Sequence, residues 1–430
     1  MSTSSAASGV LDGAAGVRSV RAPYLLLVLV GFGGLFYGIT GPLLSAFIPP
    51  LVQGVLGDRR TAIGIVMTID NVLLLSLVPW AGAASDRWAG RYGRLPLIVA
   101  GLLLASLGMA LVPWAGAAGL AGLVAALVVL HTGTNLPRAP FQALLADAVP
   151  SRFRSLASAS GTFQMCVAAI GFLMLGQVFG MRPAFLAASA TVLVVSGAVV
   201  AGLRTRTGTP SSAGDQPSLR SLADAVRAAV SGAVPGLRSV FAASFLLQLT
   251  FQTFTTWYAL HGTERFGVGP EAVTTGMIAW AMGGVIGALP AGMIGVRIGR
   301  RPAMLLGFAL MAAALVALDR VGSMALATPL LALASAFWTL PMANAFPLFV
   351  EPIRPQHRGV LAALFLLSMA LGGAIGDPLN GMLFDLSGGY RPLFLLMTAY
   401  TGLAFVAVLL VPQGAGEADT GPDADVTGAA

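Results

Sequence analysis

The chain has 430 residues, of which 57% are hydrophobic and only 10% are charged. Charged residues make up about a quarter of an ordinary soluble domain, so this composition excludes a soluble globular protein and indicates an integral membrane protein. The net charge is +7, all 24 basic residues are arginine, and the single cysteine, Cys166, excludes an intramolecular disulfide and a cysteine metal cluster.

Apolar runs long enough to cross a bilayer predict an all-α membrane protein with twelve transmembrane helices in two pseudo-symmetric six-helix bundles. A disordered N-terminal tail (1–22), without the apolar segment of a cleaved signal, is expected before the first bundle (23–203). A hydrophilic linker (204–237) leads to the second bundle (238–412), and a disordered acidic tail (413–430) follows. The predicted spans are 24–52, 62–84, 95–114, 119–146, 156–180, 184–203, 240–261, 272–296, 302–321, 324–350, 360–384 and 392–411.

The arginines indicate the orientation of these spans. With both termini in the cytoplasm, the inside segments carry seventeen arginines and the outside segments carry six, while Arg138 falls within a span. Cytoplasmic loops are enriched in basic residues. We therefore expect a multi-pass protein of the cytoplasmic (inner) membrane with both termini inside, and the basic charge needs no nucleic acid partner.

One pattern occurs twice in the chain. Its first copy comprises Leu136-Pro137, Asp147 and Arg154, and its second copy, 204 positions later, comprises Leu340-Pro341, Glu351 and Arg358. A second pair of motifs, beginning at Gly93 and Gly299, has an offset of 206. Two related membrane halves explain both offsets, and transporters are commonly built from such repeats.

Four ionisable side chains are predicted to lie inside the membrane, where a charge costs on the order of 3 kcal/mol or more. They are Asp70 in span two, His131 and Arg138 in span four, and Asp377 in span eleven. We interpret Asp70 and Asp377 as proton-coupling acids, because a desolvated carboxyl can load and release a proton as water reaches it from alternate sides. For Asp70, the alternative is a buried acid satisfied by neighbouring hydroxyls or amides such as Asn71, Thr68 or Ser76.

Span four is the most polar predicted helix. At about 100° per residue, His131, Asn135, Arg138 and Gln142 fall on one stripe, which we expect to face an internal cavity. Such directed donors suit the hydroxyl groups of a sugar better than a purely apolar compound. The predicted substrate contacts in the first half are Asn71, His131, Asn135, Arg138 and Gln142.

In the second half, the predicted substrate contacts are Gln248 and Gln252 in span seven and Trp338 and Asn344 in span ten. The aromatic side chains of span seven could stack on a ligand ring or belong to the core, and both interpretations stay open.

The loop between spans two and three reads Gly82-Ala-Ala-Ser-Asp86-Arg87, followed by Tyr92-Gly93-Arg94 and Pro96. This pattern resembles the signature loop of the major facilitator superfamily. With Met67-Thr-Ile-Asp70-Asn71 and Asn135-Leu-Pro-Arg138-Ala-Pro140-Phe-Gln142-Ala-Leu-Leu-Ala-Asp147, the first half resembles the sucrose-proton symporter branch of the glycoside-pentoside-hexuronide symporters. The second half matches mainly through the superfamily frame and its spacing.

The resemblance implies roles near the cytoplasmic face. Asp147 matches the acid of the branch's Ala-Leu-Leu-Ala-Asp motif and would couple protons, although its depth fits a gating ion pair with Arg152 or Arg154 equally well. Asp86 can pair with Arg87 or Arg94, and breaking that contact would release a gate. The expected gating residues are Gly82, Asp86, Arg87, Arg94, Arg154, Glu351 and Arg358.

The resemblance also bears on the coupling ion. Sodium-coupled members carry two acids a turn apart in span two, the second just before a proline, whereas Leu74 and Val78 precede Pro79 here. Apolar side chains cannot bind sodium, so proton coupling is favoured. In the superfamily fold the second and eleventh helices are neighbours, so Asp70 and Asp377 are predicted to approach each other near the outer gate.

These patterns together indicate a secondary active transporter that moves a small polar solute, a sugar or glycoside, by proton-coupled alternating access. The alternatives are a proton-driven efflux antiporter for small organic molecules and a non-transporting membrane sensor on the same fold. No catalytic residue, metal site or cofactor is predicted, so an enzyme is not expected. The expected partners are the small-molecule substrate, protons and the lipid bilayer, and the expected state is a monomer.

Overall fold

The computed structural model describes residues 24–149, 153–203, 237–350 and 358–411, which fold almost entirely into α-helices. The predicted tails, nearly all of the predicted linker, Arg152 and Glu351 lie outside the described residues. The helices are α1 (Tyr24–Leu56), α2 (Arg60–Met67), α3 (Ile69–Ala89), α4 (Leu95–Ala115), α5 (Gly119–Asn135), α6 (Arg138–Ala148), α7 (Arg154–Phe179), α8 (Met181–Leu203), α9 (Leu237–Phe266), α10 (Pro270–Ile298), α11 (Arg300–Arg320), α12 (Met324–Val350), α13 (Arg358–Ser387) and α14 (Leu393–Leu409).

Two pairs of consecutive helices, α2 with α3 and α5 with α6, each form a single membrane crossing. At the α2–α3 join, the Thr68 amide donates to the Gly64 carbonyl and the Val72 amide to the Thr68 carbonyl, both at 3.0 Å. At the α5–α6 join, the Phe141 amide donates to the Pro137 carbonyl at 2.9 Å. Because the hydrogen-bond ladder continues through both joins, the described helices combine into twelve crossings, six in each half.

Length and hydropathy support a membrane location. Among the described residues, seven helical stretches are long and apolar enough to cross a membrane, and an eighth passes if α10, bent by 43° between Ala288 and Pro290, counts as one span. The stretch 95–145 has 51 residues, but the chain reverses at Gly119, whose φ is 70°, and α5 then packs against α4. The predicted all-α membrane fold is confirmed.

The two halves repeat a close helix contact. A Cβ atom added at Gly101 in α4 would lie 2.5 Å from Cδ of Pro137, and one added at Gly307 in α11 would lie 2.5 Å from Cδ of Pro341. Glycine therefore lets each helix approach the proline of its neighbour. These positions correspond under the offsets of the sequence repeat, which supports the duplication.

The halves meet mainly where α2 packs against α13 and α7 against α10. Gln177 Nε2 donates to Thr275 Oγ1 at 2.8 Å, and Thr68 Oγ1 donates to the Ala374 carbonyl at 3.3 Å. These contacts lie in the half of the bundle away from Tyr24 and Val411, and we call that side the distal end. The surface shared by α2 and α13 is called the distal seam below.

Candidate functional site

Asp70, at the start of α3, faces two side chains of α5. Its Oδ1 accepts a hydrogen bond from Asn135 Nδ2 at 2.8 Å and lies 2.9 Å from Nδ1 of His131. His131 and Asn135 are one helical turn apart, so both reach the same carboxylate. The Asp70 side chain is 38% exposed, whereas the His131 side chain is 9% exposed. The Asp70 carboxylate therefore stays accessible to a molecule outside the helix packing.

Arg138, the first residue of α6, completes this group. Its guanidinium lies over the Tyr37 ring of α1, 5.1 Å from the centroid, and it attracts Asp70 electrostatically. The Tyr37 hydroxyl donates to the Thr134 carbonyl at 3.4 Å. We name Tyr37, Asp70, His131, Asn135 and Arg138 the central cluster; four were predicted from the sequence, and Tyr37 was missed because a lone tyrosine in an apolar helix carries no pattern.

The hydroxyls and amide that the sequence offered as partners of Asp70 have other environments. Ser76 donates to the Val72 carbonyl at 2.9 Å, and Thr68 donates to Gly64 and Ala374. The side chain of Asn71 is buried, and its Nδ2 has no hydrogen-bond partner in the part of the chain that the structure describes. The amide that bonds to Asp70 is Asn135 of α5, so the alternative of a buried acid satisfied by neighbouring side chains stays open with this partner.

Asp377 in α13 is fully buried. Its Oδ2 accepts a hydrogen bond from Gln252 Nε2 of α9 at 3.0 Å, while its Oδ1 has no hydrogen-bond partner among the described residues. Gln252 Nε2 also lies 3.1 Å from the hydroxyl oxygen of Thr256. One turn further along α13, Asn380 accepts from Tyr400 and donates to Thr253, both at 2.9 Å.

Asp70 and Asp377 belong to helices that touch at the distal seam. A Cβ added at Gly64 would lie 2.7 Å from the carbonyl carbon of Asp377, and one added at Gly373 would lie 2.7 Å from Cγ of Asn71. The charge of Asp70 acts on Asp377 by electrostatic repulsion. The two acids therefore lie on helices that touch, while each carboxylate is held by a helix of its own half.

At the end opposite the distal end, Arg94 joins three helices. Its Nη1 is 2.5 Å from Oδ1 of Asp86 and 3.1 Å from Oγ of Ser85, and its Nε is 2.5 Å from Oδ2 of Asp147. Burial lowers the pKa of Arg94, but the hydrogen bonds that Arg94 donates to Asp147 and Asp86 outweigh burial and raise the pKa above its usual value. Arg94 is thus a fixed positive charge between α3, α4 and α6.

This arrangement decides between the partners expected for these acids. Asp86 pairs with Arg94, and Arg87 is exposed and donates instead to the Ala83 carbonyl at 3.3 Å. Asp147 pairs with Arg94, which the sequence did not suggest as its partner. Gly82 is buried beside these residues. The structure does not describe Arg152, Glu351 or the side chains of Arg154 and Arg358.

The other predicted substrate contacts fall into different environments. Trp338 stacks on Phe251 with centroids 5.0 Å apart, and its buried Nε1 has no partner. Asn344 is fully buried and occupied: it donates to the Leu340 carbonyl at 2.8 Å and accepts from Arg300 at 3.2 Å. Gln142 is exposed and Gln248 is partly buried, near Gly372.

The distal seam carries a polar contact that the sequence did not reveal. The Asp385 carboxylate accepts hydrogen bonds from the backbone amides of Arg60 and Thr61, at 3.0 and 2.9 Å, and from the Thr61 hydroxyl at 2.5 Å. The Arg60 guanidinium donates to the Gly388 carbonyl at 3.3 Å and lies 4.9 Å from the centroid of the Tyr390 ring. Asp385 thus caps the first turn of α2 from the other half. We call this contact the distal clasp.

A family model described as Major Facilitator Superfamily matches residues 26–287 and 240–426. No curated protein matches the chain.

Among solved structures, the chain is similar to a bacterial homologue of the human lysosomal transporter Spinster in an inward-facing and unoccupied conformation. That likeness has a TM-score of 0.70 at 16% identity and covers 90% of this chain and 98% of the other. The nucleoside transporter NupG gives a TM-score of 0.71 at 14% identity over 90% and 98% of the two chains. A D-xylose-proton symporter gives 0.67 at 15% identity over 91% and 97%. At these identities the likeness shows the fold.

Proposed function

Because the chain belongs to the Major Facilitator Superfamily, a family of transporters and not of enzymes, we propose that it is a proton-coupled secondary active transporter for a small polar solute. The proposed solute is a sugar or glycoside, as in the symporter branch that the first half resembles. The observation that carries this proposal is the central cluster, which keeps an acid, a histidine, an amide and an arginine together inside an apolar helix bundle.

The central cluster has the chemistry of a site for a hydroxyl-rich solute. Asp70 can accept hydrogen bonds, Arg138 and Asn135 can donate them, and the Tyr37 ring offers an apolar face. The partly exposed Asp70 carboxylate can reach a solute directly. We propose that the solute binds against this cluster from the first half and against Gln252 and Trp338 from the second half.

The arginine distribution gives the direction of the two ends. We propose that both termini are cytoplasmic, so that the distal end faces outside. The described contacts between the halves lie toward that end, so this conformation is closed to the outside, and transport requires the distal seam to open. Arg94, with Asp86 and Asp147, is the proposed cytoplasmic gate, and Arg154, Glu351 and Arg358 remain gating proposals for the same side.

Uptake into liposomes containing the purified protein tests this function. With an inward proton gradient, we expect labelled disaccharide or glycoside to accumulate, and we expect an uncoupler to abolish the accumulation. Asp70→Asn and Arg138→Ala should each reduce this uptake at least tenfold, because each substitution removes one charge of the central cluster. Ser76→Ala is the matched control on α3, since Ser76 bonds only to its own helix. Retained uptake in both variants contradicts the proposed site.

One observation favours a second candidate, proton-driven export of small organic molecules. Phe251 stacks on Trp338 with centroids 5.0 Å apart, and both rings are only partly buried, so the second half offers an accessible aromatic surface. Such a surface suits apolar ring compounds. Loss of a preloaded dye from the same liposomes under an opposite proton gradient, without sugar accumulation, would favour export.

A further inference from the structure

Asp70 and Asp377 differ in how their charge is balanced. Asp70 has the Arg138 guanidinium, the His131 ring and the Asn135 amide around it. An ionised carboxylate with a cation and a donor at hand is stable inside a protein. Asp70 can therefore keep its negative charge while solute binds and leaves.

Asp377 has no such balance in the part of the chain that the structure describes. From α9 it meets the neutral side chains of Gln252 and Thr256. The titratable groups toward the distal end of α9 are turned to another residue: His261 Nδ1 lies 2.8 Å from the Tyr390 carbonyl, and Glu264 accepts from the Tyr390 amide at 3.1 Å. The sequence of α12 carries no titratable residue.

The remaining neighbours of Asp377 add no positive charge. From α14, Tyr400 reaches the same region only through Asn380. Across the distal seam, α2 presents the backbone at Gly64, and Arg60 is engaged in the distal clasp. Among the described residues, the helix of the other half that also packs against α13 is α3, which carries the acidic Asp70. Among the described residues, an ionised Asp377 would therefore be a buried charge without a cationic partner, and one of its oxygens would lack a hydrogen-bond donor.

From this asymmetry, and resting on the proposed proton coupling, we propose that Asp377 carries the coupled proton and that the distal seam closes only over the protonated, neutral acid. When the seam is open, water reaches Asp377 and a proton from the outside adds to the carboxylate oxygen. The neutral carboxyl then tolerates the dry contact between α2 and α13. Asp70 stays ionised and serves the solute.

Distances between spin labels at the distal seam test this inference without any solute. Labels are attached at Asp58→Cys and Leu386→Cys, both exposed near the two sides of the seam, in a Cys166→Ser background. In the parent protein we expect short distances at low pH and a growing population of long distances as the pH rises. Asp377→Asn, which is always neutral, should give short distances at every pH.

Two further variants sharpen the test. Asp70→Asn should keep the pH response, and Asp377→Glu should keep a response with a shifted midpoint. A pH response that survives in Asp377→Asn, a response lost in Asp70→Asn, or a parent protein without any response overturns the inference. If Asp377→Asn does not fold, the absence of a shifted midpoint in Asp377→Glu overturns it as well.

The inference and the proposed function can fail separately. If liposomes accumulate no sugar or glycoside but the spin-label response still depends on Asp377, the solute assignment fails and the proton assignment stands. If Asp377→Asn still accumulates solute in a proton gradient, the proton assignment fails and the transport function stands.

Discussion

The side chains of Asn135 and Asn344 are both fully buried, but they differ in their hydrogen bonds. Asn135 donates to the Asp70 carboxylate, and no described residue donates a hydrogen bond to its own Oδ1. Asn344 uses its amide on the Ala291 and Leu340 carbonyls and its oxygen on Arg300, so it ties α12 to α10 and α11. An unused acceptor next to a partly exposed acid suits ligand contact, whereas a saturated amide suits packing.

Alanine substitutions should separate these two roles. Asn344→Ala should lower stability by about 1–3 kcal/mol, the usual cost of leaving buried partners unpaired, and should leave the KM for the solute unchanged. Asn135→Ala should raise the KM severalfold, because the Asp70 carboxylate loses its donor. Thermal unfolding measures the stability of both variants, and uptake kinetics measure their KM. A raised KM in Asn344→Ala would support Asn344 as a substrate contact.

At the level of helices, the distal seam depends on glycine. A Cβ added at Gly381 of α13 would lie 2.9 Å from the backbone carbonyl carbon of Arg60, and the corresponding atom at Gly64 of α2 would lie 2.7 Å from that of Asp377. Backbone atoms cannot move aside as a flexible side chain can. The close approach of α2 and α13 therefore requires glycine at both positions.

Gly381→Ala should hold the distal seam open. A cysteine at Met67, a partly buried residue at the end of α2, should then react several times faster with a thiol reagent that cannot cross membranes, in a Cys166→Ser background. Gly402→Ala is the matched control, because a Cβ at Gly402 in α14 has no neighbouring atom within 4 Å. Equal labelling rates in Gly381→Ala and the control would show that the seam does not depend on this glycine.

For the molecule as a whole, local patterns in the sequence predicted much of the architecture. Hydropathy placed the spans close to the observed helices, since apolar length sets where a helix can cross a bilayer. Helical periodicity put His131, Asn135 and Arg138 on one stripe, and the structure brings them together around Asp70. These features follow from spacing within one helix or from one helix against its neighbour.

Contacts between distant parts of the chain could not be predicted in the same way. Asp385 and Arg60 are 325 positions apart, and a single acid near a helix end gives no sign of its partner. The pairing of Asp147 with Arg94, 53 positions away, was missed because Arg152 and Arg154 are closer in the sequence. The difference between Asp70 and Asp377 also depends on which groups surround each acid, and only packing decides this.

The orientation of the whole molecule gives a further prediction. In the proposed orientation, a reporter protein that is active only in the cytoplasm should be active when fused after residue 430, because the seventeen arginines of the predicted inside segments favour the cytoplasmic side. A second fusion, with the chain cut in the loop near Asp58, should show the opposite behaviour. Reporter activity outside the cell for the full-length fusion would reverse every inside and outside assignment made above.

The distal clasp has a consequence for the medium around the cell. Asp385 and Arg60 meet at the exposed rim of the bundle, and dissolved ions screen charges in water over about 8 Å at physiological ionic strength. Salt in the surroundings should therefore loosen the rim while leaving the glycine packing beneath it unaffected. External salinity would then change how long the distal seam stays closed before it opens again.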